Sequence, residues 1–178
     1  ERLLKDGVCI AVGEIGLDAL ISLPIEIQER AFREQLRMAI GAGFPVLIHC
    51  RKAVGRLLSI LNEEGAARVG GILHAFSGSK ESALEAIRLG FAIGFGGPLT
   101  FLGARRQPEL LRCLPAKSIV LETDAPDLTP HPHRGEINRP AYLAIIAERV
   151  AQIRGWTMEE KARITTENAR RDHRNEER

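Results

Sequence analysis

Apolar residues fall into five short runs, each bounded by glycine or polar residues: Val8 to Val12, Val46 to Ile48, Gly71 to Leu73, Phe91 to Phe95 and Ile119 to Leu121. Both alternating sets of positions in these runs are apolar, which predicts strands buried on both faces, as in a parallel sheet. Between the runs the apolar spacing changes to three and four. Ile27, Ala31, Phe32, Leu36, Ala39 and Ile40 line one face of a helix whose other face carries Glu and Arg, with Gly41 and Gly43 as stop signals. Further helices are expected at Ala53 to Leu61, at Ser79 to Leu89 between a Ser cap and Gly90, and in a short piece at Pro108 to Cys113. Pro140 to Arg154 opens on proline, and Thr157 to Arg170 carries Thr157 as cap with Glu160 at the capping-box position. Strand and helix alternating every roughly 20 to 35 residues predict an α/β fold with right-handed crossovers.

Composition narrows the class. At 178 residues, 44% apolar and 27% charged, the chain has enough material for one domain with a core and is neither disordered nor collagen-like. No apolar run approaches the roughly 20 residues needed to cross a bilayer, so no membrane partner is expected. A net charge of +2 does not announce nucleic acid, and any phosphate recognition has to come from local basic groups. Cys9, Cys50 and Cys113 are odd in number and scattered in or beside apolar stretches, which fits reduced thiols in a cytoplasmic protein. The opening Glu1-Arg2-Leu3-Leu4-Lys5 has no signal-peptide core and reads as a chain joined partway through. Residues 1–171 are expected to form the domain and 172–178 a disordered tail.

The chemistry sits where the apolar runs end. The first run is followed by Gly13-Glu14-Ile15-Gly16-Leu17-Asp18, the second by His49, the third by His74, and the fifth by Glu122-Thr123-Asp124. Strand C-termini in parallel α/β proteins converge on one rim, so Glu14, His49, His74 and Asp124 are expected to face a common centre. Any one of these residues alone reads best as a cap or a buried hydrogen-bonding group. Four at equivalent positions read better as ligands of a divalent metal of the Zn, Mn or Mg type, because a metal removes the cost of burying their carboxylates.

The ordered set of motifs resembles the TatD-type metal-dependent deoxyribonucleases, a family of amidohydrolase-like barrels. The matching stretches are Gly13 to Asp18, Pro45 to Arg51, Leu73 to Gly78, Gly96 to Phe101, Leu121 to Pro126, Arg134 to Pro140 and Thr166 to Arg170. The resemblance implies a (β/α)8 barrel with a two-metal centre that cleaves DNA phosphodiester bonds with a metal-activated water. It implies that Glu14 bridges the ions, that His49 and His74 complete the second site, and that Asp124 serves the first site and the water. Glu14 and Asp124 are then the catalytic carboxylates. The family opens with a strand ending in His-x-His, and this strand and the two after it have no counterpart here. The expected fold is therefore a partial barrel of about five βα units with the first three strands absent, exposed edges at Val8 to Val12 and Ile119 to Leu121, and one metal retained. The only His-x-His, at His131-Pro132-His133, lies in a proline-rich loop and reads as loop structure.

Other residues are candidates for support. Glu122, two residues before Asp124 and expected on the same strand face, can orient a ligand from behind or make a structural hydrogen bond. Arg51, Arg134 and Asn138 are candidate substrate contacts, with loop-fixing hydrogen bonds as the competing role for the last two. Arg105 and Arg106 extend a possible phosphate-facing rim, and Ser77-Gly78 offers backbone N–H groups. Asp18 reads as a loop-fixing residue, and Cys50, Tyr142 and Trp156 as packing. Two rivals to the nuclease reading are an inactive partial barrel that only binds metal or another chain, and an amidohydrolase-type enzyme acting on an amide or ester.

Overall fold

The computed structural model describes residues 9–172. Five parallel strands, β1 Val12–Asp18, β2 Val46–Arg51, β3 Gly71–Leu73, β4 Phe91–Phe95 and β5 Ile119–Leu121, form one sheet in the order of the chain. Each crossover carries a helix: α1 Ile25–Ala42, α2 Val54–Glu63, α3 Lys80–Arg88 and α4 Arg106–Cys113. A short 3-10 turn, Pro140–Tyr142, then leads into α5 Leu143–Arg154 and α6 Met158–Asp172. Among the described residues β1 and β5 are the two ends of the sheet.

The first strand corrects the sequence reading. It covers Val12 to Asp18, not Val8 to Val12, and Val8 itself lies outside the described residues. The run Gly-Glu-Ile-Gly-Leu-Asp looks like a loop because it is half polar, yet Ile15 and Leu17 are buried at alternate positions. An end strand packed on one face needs only that alternate set to be apolar. Helix α6 runs to Asp172, and the rest of the expected tail, residues 173–178, lies outside the described residues.

Helix ends follow the capping rules. Gly43 ends α1 at φ 74°, a left-handed geometry that costs a Cβ-bearing residue. At α6 the Thr157 hydroxyl accepts the Glu160 N–H at 3.1 Å while the Glu160 carboxylate accepts the Thr157 N–H at 2.8 Å, a closed capping box.

Strand alternation divides the sheet into two faces. Ile48, Leu73, Ile93 and Ile119 pack with Phe32, Leu36, Leu57 and Leu61 of the helices in the main core. The opposite face has Ile72, Ala92 and Val120 at its base, flanked by Leu47 and by Ala169 of α6. Asn168 ties α6 there: its amide donates to Ala116 O and Ile119 O, both at 2.8 Å. One step further along β2 on this second face comes His49, and His74 directly follows β3, so a greasy base carries a polar rim.

Candidate metal centre

Glu14 reaches the rim through an irregularity in β1. Val12 pairs with Val46 but Ile15 with Ile48, so β1 spends one extra residue there. Such a bulge re-aims side chains at sheet edges, and here it falls on Gly13 and Glu14. His49 stands on β2, and His74 follows β3, with its backbone N–H donating to Ile48 O at 3.0 Å.

Ligating atoms of Glu14, His49 and His74 all lie within 4.8 Å of one another. His74 Nε2 is 3.4 Å from Glu14 Oε2 and 3.1 Å from His49 Nδ1. His74 is buried and Glu14 half-exposed, so the group opens to one side. Two imidazole nitrogens that face each other and a carboxylate suit one shared cation. Imidazole with carboxylate favours a borderline divalent ion of the zinc or manganese kind, so the residues present fit the group.

Asp124 is placed differently from the other three. Its Oδ1 lies 3.7 Å from His74 Nδ1, on the far side of the ring from Glu14 and His49. It adjoins the three-residue group without belonging to it. The expectation that Glu122 and Asp124 share a strand face is also corrected: β5 stops at Leu121, and Asp124 adopts φ 59°, so strand alternation does not reach it.

The neighbours hold these groups in place. Asp18 Oδ2 is 3.3 Å from His49 Nε2 and 3.8 Å from Arg51 Nη1, and Oδ1 accepts the Leu20 N–H at 2.8 Å. Desolvation raises the Asp18 pKa, but the Leu20 N–H, His49 and Arg51 outweigh it and hold the carboxyl below its ordinary value. Glu122 accepts the Ala75 N–H at 2.5 Å. Burial pushes its pKa up to about 7 against that hydrogen bond, with the charges of Asp124 and Glu14 adding to the rise. Gly94 leaves the space, since a Cβ there would collide with the Glu122 carboxylate. Burial likewise pushes the Cys50 thiol up to about 11, which removes it as a nucleophile.

One supporting residue escaped the sequence reading. Gln28 of α1 is buried, receives the Asp18 N–H at 2.8 Å and donates to Asp18 O at 3.0 Å and Leu23 O at 2.8 Å. Its signal was present: Gln28, Phe32 and Leu36 share one buried stripe, and a polar residue on such a stripe needs a partner.

A cleft of about 1090 Å³ opens beside the group, lined by His49, His74, Asp124 and Asp127 together with Arg51, Lys52, Arg105 and Arg106. Ser77 and Gly78 also line it, but α3 starts later, behind Ser79, whose hydroxyl accepts the Ser82 N–H. Two expected substrate contacts stand elsewhere. Asn138 is buried, and its amide donates to Thr123 O at 2.6 Å and Asp127 O at 2.5 Å, so it holds the Asp124 loop from behind. Arg134 lies over the Phe101 ring at 4.0 Å. His133 stacks on Tyr142 at 4.5 Å and meets Glu136 at 3.1 Å, which makes the His131–His133 loop a packing unit. Trp156 packs against the core under the Arg154 guanidinium.

Comparison with known proteins adds an independent line. The family model described as TatD related DNase matches residues 1–173. The uncharacterized metal-dependent hydrolase YabD of Bacillus subtilis is 45% identical over 91% of this chain and 64% of its own length. The uncharacterized metal-dependent hydrolase YcfH of Escherichia coli (strain K12) is 36% identical over 94% of this chain and 64% of its own length. Among solved structures, YjjV, a TatD homologue from Escherichia coli K12, superposes with a TM-score of 0.88 at 33% identity, covering 94% of this chain and 66% of that one. The chain thus spans about 64% of the length of the two curated relatives.

Proposed function

The chain belongs to the TatD-related DNase family, and on that premise we propose that it is a metal-dependent hydrolase of DNA phosphodiester bonds. The observation that carries this reading is the convergence of Glu14 of β1, His49 of β2 and His74 just after β3 within 4.8 Å, beside a cleft lined by four basic side chains and by Asp124 and Asp127. In this reading the three residues hold one divalent ion. That ion, when bound, supplies Lewis acidity toward a phosphoryl oxygen and lowers the pKa of water.

The residues of the chain do the rest. Asp18 orients His49 through its second ring nitrogen, as carboxylates behind metal-binding imidazoles commonly do. Asp124, beside His74 and on the cleft wall, is the group that receives a proton from an attacking water. Arg51 at the cleft rim matches a phosphate with its fork of N–H groups. Glu14 serves as ligand and as the negative charge facing the reacting centre.

The same reading makes the five-stranded sheet part of a (β/α)8 barrel, which the strand order and the TatD-like superposition support. It also places the protein in the cytoplasm. The three cysteines are free, and among the described residues no helix is long and apolar enough to cross a membrane.

Calorimetric titration with Zn or Mn should show one tight site, and two would overturn the single-ion reading. End-labelled DNA and a chromogenic phosphodiester, run beside an amide and a carboxylic ester, test the bond. Cleavage of the phosphodiesters alone is expected. Cleavage of the amide or ester alone, or binding of metal without any turnover, would replace the nuclease reading.

A further inference from the structure

We propose that Gln28 is a positioning residue of the metal centre: by pinning the end of β1 it holds the Asp18 carboxylate against His49 Nε2 and so keeps His49 Nδ1 turned toward His74. The proposal rests on the metal-binding reading of Glu14, His49 and His74 above and deepens it.

Burial comes first. Gln28 is 7% exposed and shares the buried stripe of α1 with Phe32, Leu36 and Ala39, a place that an aliphatic side chain would fill at no polar cost. A buried amide is costly unless its groups are paired. Gln28 is paired three times: Oε1 accepts the Asp18 N–H at 2.8 Å, and Nε2 donates to Asp18 O at 3.0 Å and Leu23 O at 2.8 Å.

The place of these bonds decides what they do. Among the described residues β1 is an end of the sheet, and Gln28 gives Asp18 the two backbone bonds that a further strand would make. On the other side the Ala19 N–H donates to Arg51 O at 2.9 Å. The end of β1 is thus clamped between α1 and β2. Gly16 lets β1 run close to β2, since a Cβ there would collide with the His49 carbonyl. With its backbone clamped, Asp18 accepts the Leu20 N–H on Oδ1 at 2.8 Å and has Oδ2 left for His49 Nε2 at 3.3 Å. A carboxylate there takes the Nε2 hydrogen and leaves Nδ1 as the bare nitrogen. Nδ1 is the atom that stands 3.1 Å from His74 Nε2. Partners behind a ligating imidazole fix its tautomer and ring direction in this way.

The test compares Zn affinity, by competition with a chelator, for the wild-type chain, Gln28→Met, Asp18→Ala and the double variant. Methionine keeps the length of the side chain but donates no hydrogen bond. Removing a partner behind a metal ligand typically weakens binding by roughly 10–100-fold. Asp18→Ala is expected in that range and Gln28→Met about tenfold below wild type. The double variant should stay within about twofold of Asp18→Ala, because residues acting through one path are not additive. Wild-type affinity in Gln28→Met, or losses that multiply in the double variant, overturns the proposal.

The His49 ring N–H, followed by ¹H–¹⁵N NMR in EDTA, gives a readout that needs no metal. It should be protected from exchange in the wild-type chain and lose that protection in Gln28→Met, while His133, stacked on Tyr142, keeps its ring signals. A Gln28 that only braces the fold would lower the urea midpoint and leave both Zn affinity and this N–H unchanged, which also overturns the proposal. Should Gln28→Met fail to fold by circular dichroism, Gln28→Glu is read in the same way, since it keeps an acceptor for the Asp18 N–H but has no hydrogen for Asp18 O or Leu23 O. If the wild-type chain binds no Zn but the His49 N–H depends on Gln28, the hold on His49 stands and the metal reading falls. If Zn binds and neither affinity nor the N–H changes, the positioning role alone falls.

Discussion

Replacing Asn138 by alanine separates a loop-holding residue from a substrate contact. The side chain is 3% exposed. Its Nδ2 donates to Thr123 O and Asp127 O at 2.6 and 2.5 Å, and its Oδ1 accepts the Arg139 N–H at 2.8 Å. Alanine leaves the half-buried Thr123 carbonyl without its donor, while the carbonyl of exposed Asp127 and the N–H of exposed Arg139 find water. An orphaned buried group costs roughly 1–3 kcal/mol, so the variant should lose about 1–3 kcal/mol. A urea slope near 2 kcal/mol/M, about the middle of the range for small proteins, turns that into a midpoint drop of about 0.5–1.5 M. Asn138→Asp keeps the shape but offers the two carbonyls no hydrogen, so it should cost at least as much. Thr123 and Asp127 bracket Asp124, so the 123–138 loop should also be cut faster by a protease. Zn affinity should hardly move, because Glu14, His49 and His74 are carried by β1, β2 and the end of β3. A midpoint within about 0.3 M of wild type, or Zn affinity that collapses with the substitution, would refute this account.

Three further outcomes are expected. His49→Ala or His74→Ala should lower Zn affinity by more than the roughly 10- to 100-fold typical of removing a supporting residue, with the circular dichroism of the sheet intact; retention of tight binding in both would remove the proposed ligand set. Glu122, with its pKa raised from 4.5 to about 7 in the folded chain, binds a proton more tightly folded than unfolded. Its contribution is therefore present below pH 4.5 and lost as pH rises through about 7. In EDTA, Glu122→Gln should gain on wild type by up to about 3 kcal/mol over that interval, at ~1.4 kcal/mol per pH unit, as read by urea denaturation; a difference independent of pH would show that the carboxyl is not desolvated. Thr157→Ala should cost about 1 kcal/mol through loss of the α6 cap, and an unchanged melting temperature would show that the capping box contributes nothing.

Local pattern was enough for the elements whose signals are short-range. The apolar runs at 46–48, 71–73, 91–95 and 119–121 are strands or lie within them, because burial on both faces of a parallel sheet selects continuous apolar residues. Ser79 and Thr157 cap the helices as their spacing requires. His49, His74 and Glu14 could be nominated without coordinates, since parallel topology sends strand ends to one rim. What could not be read was anything that depends on the third dimension. The β1 bulge that aims Glu14 arises from its pairing with β2. The placement of Asp124 beyond His74 follows from a left-handed turn after β5. Asn138 and Gln28 owe their roles to carbonyls and amides that folding brings to them. Periodicity reports which face of an element is buried, but hydrogen-bond partners distant along the chain are chosen by packing. The candidate site was thus nominated from residue types and spacing, and its geometry was set by contacts that no local pattern encodes.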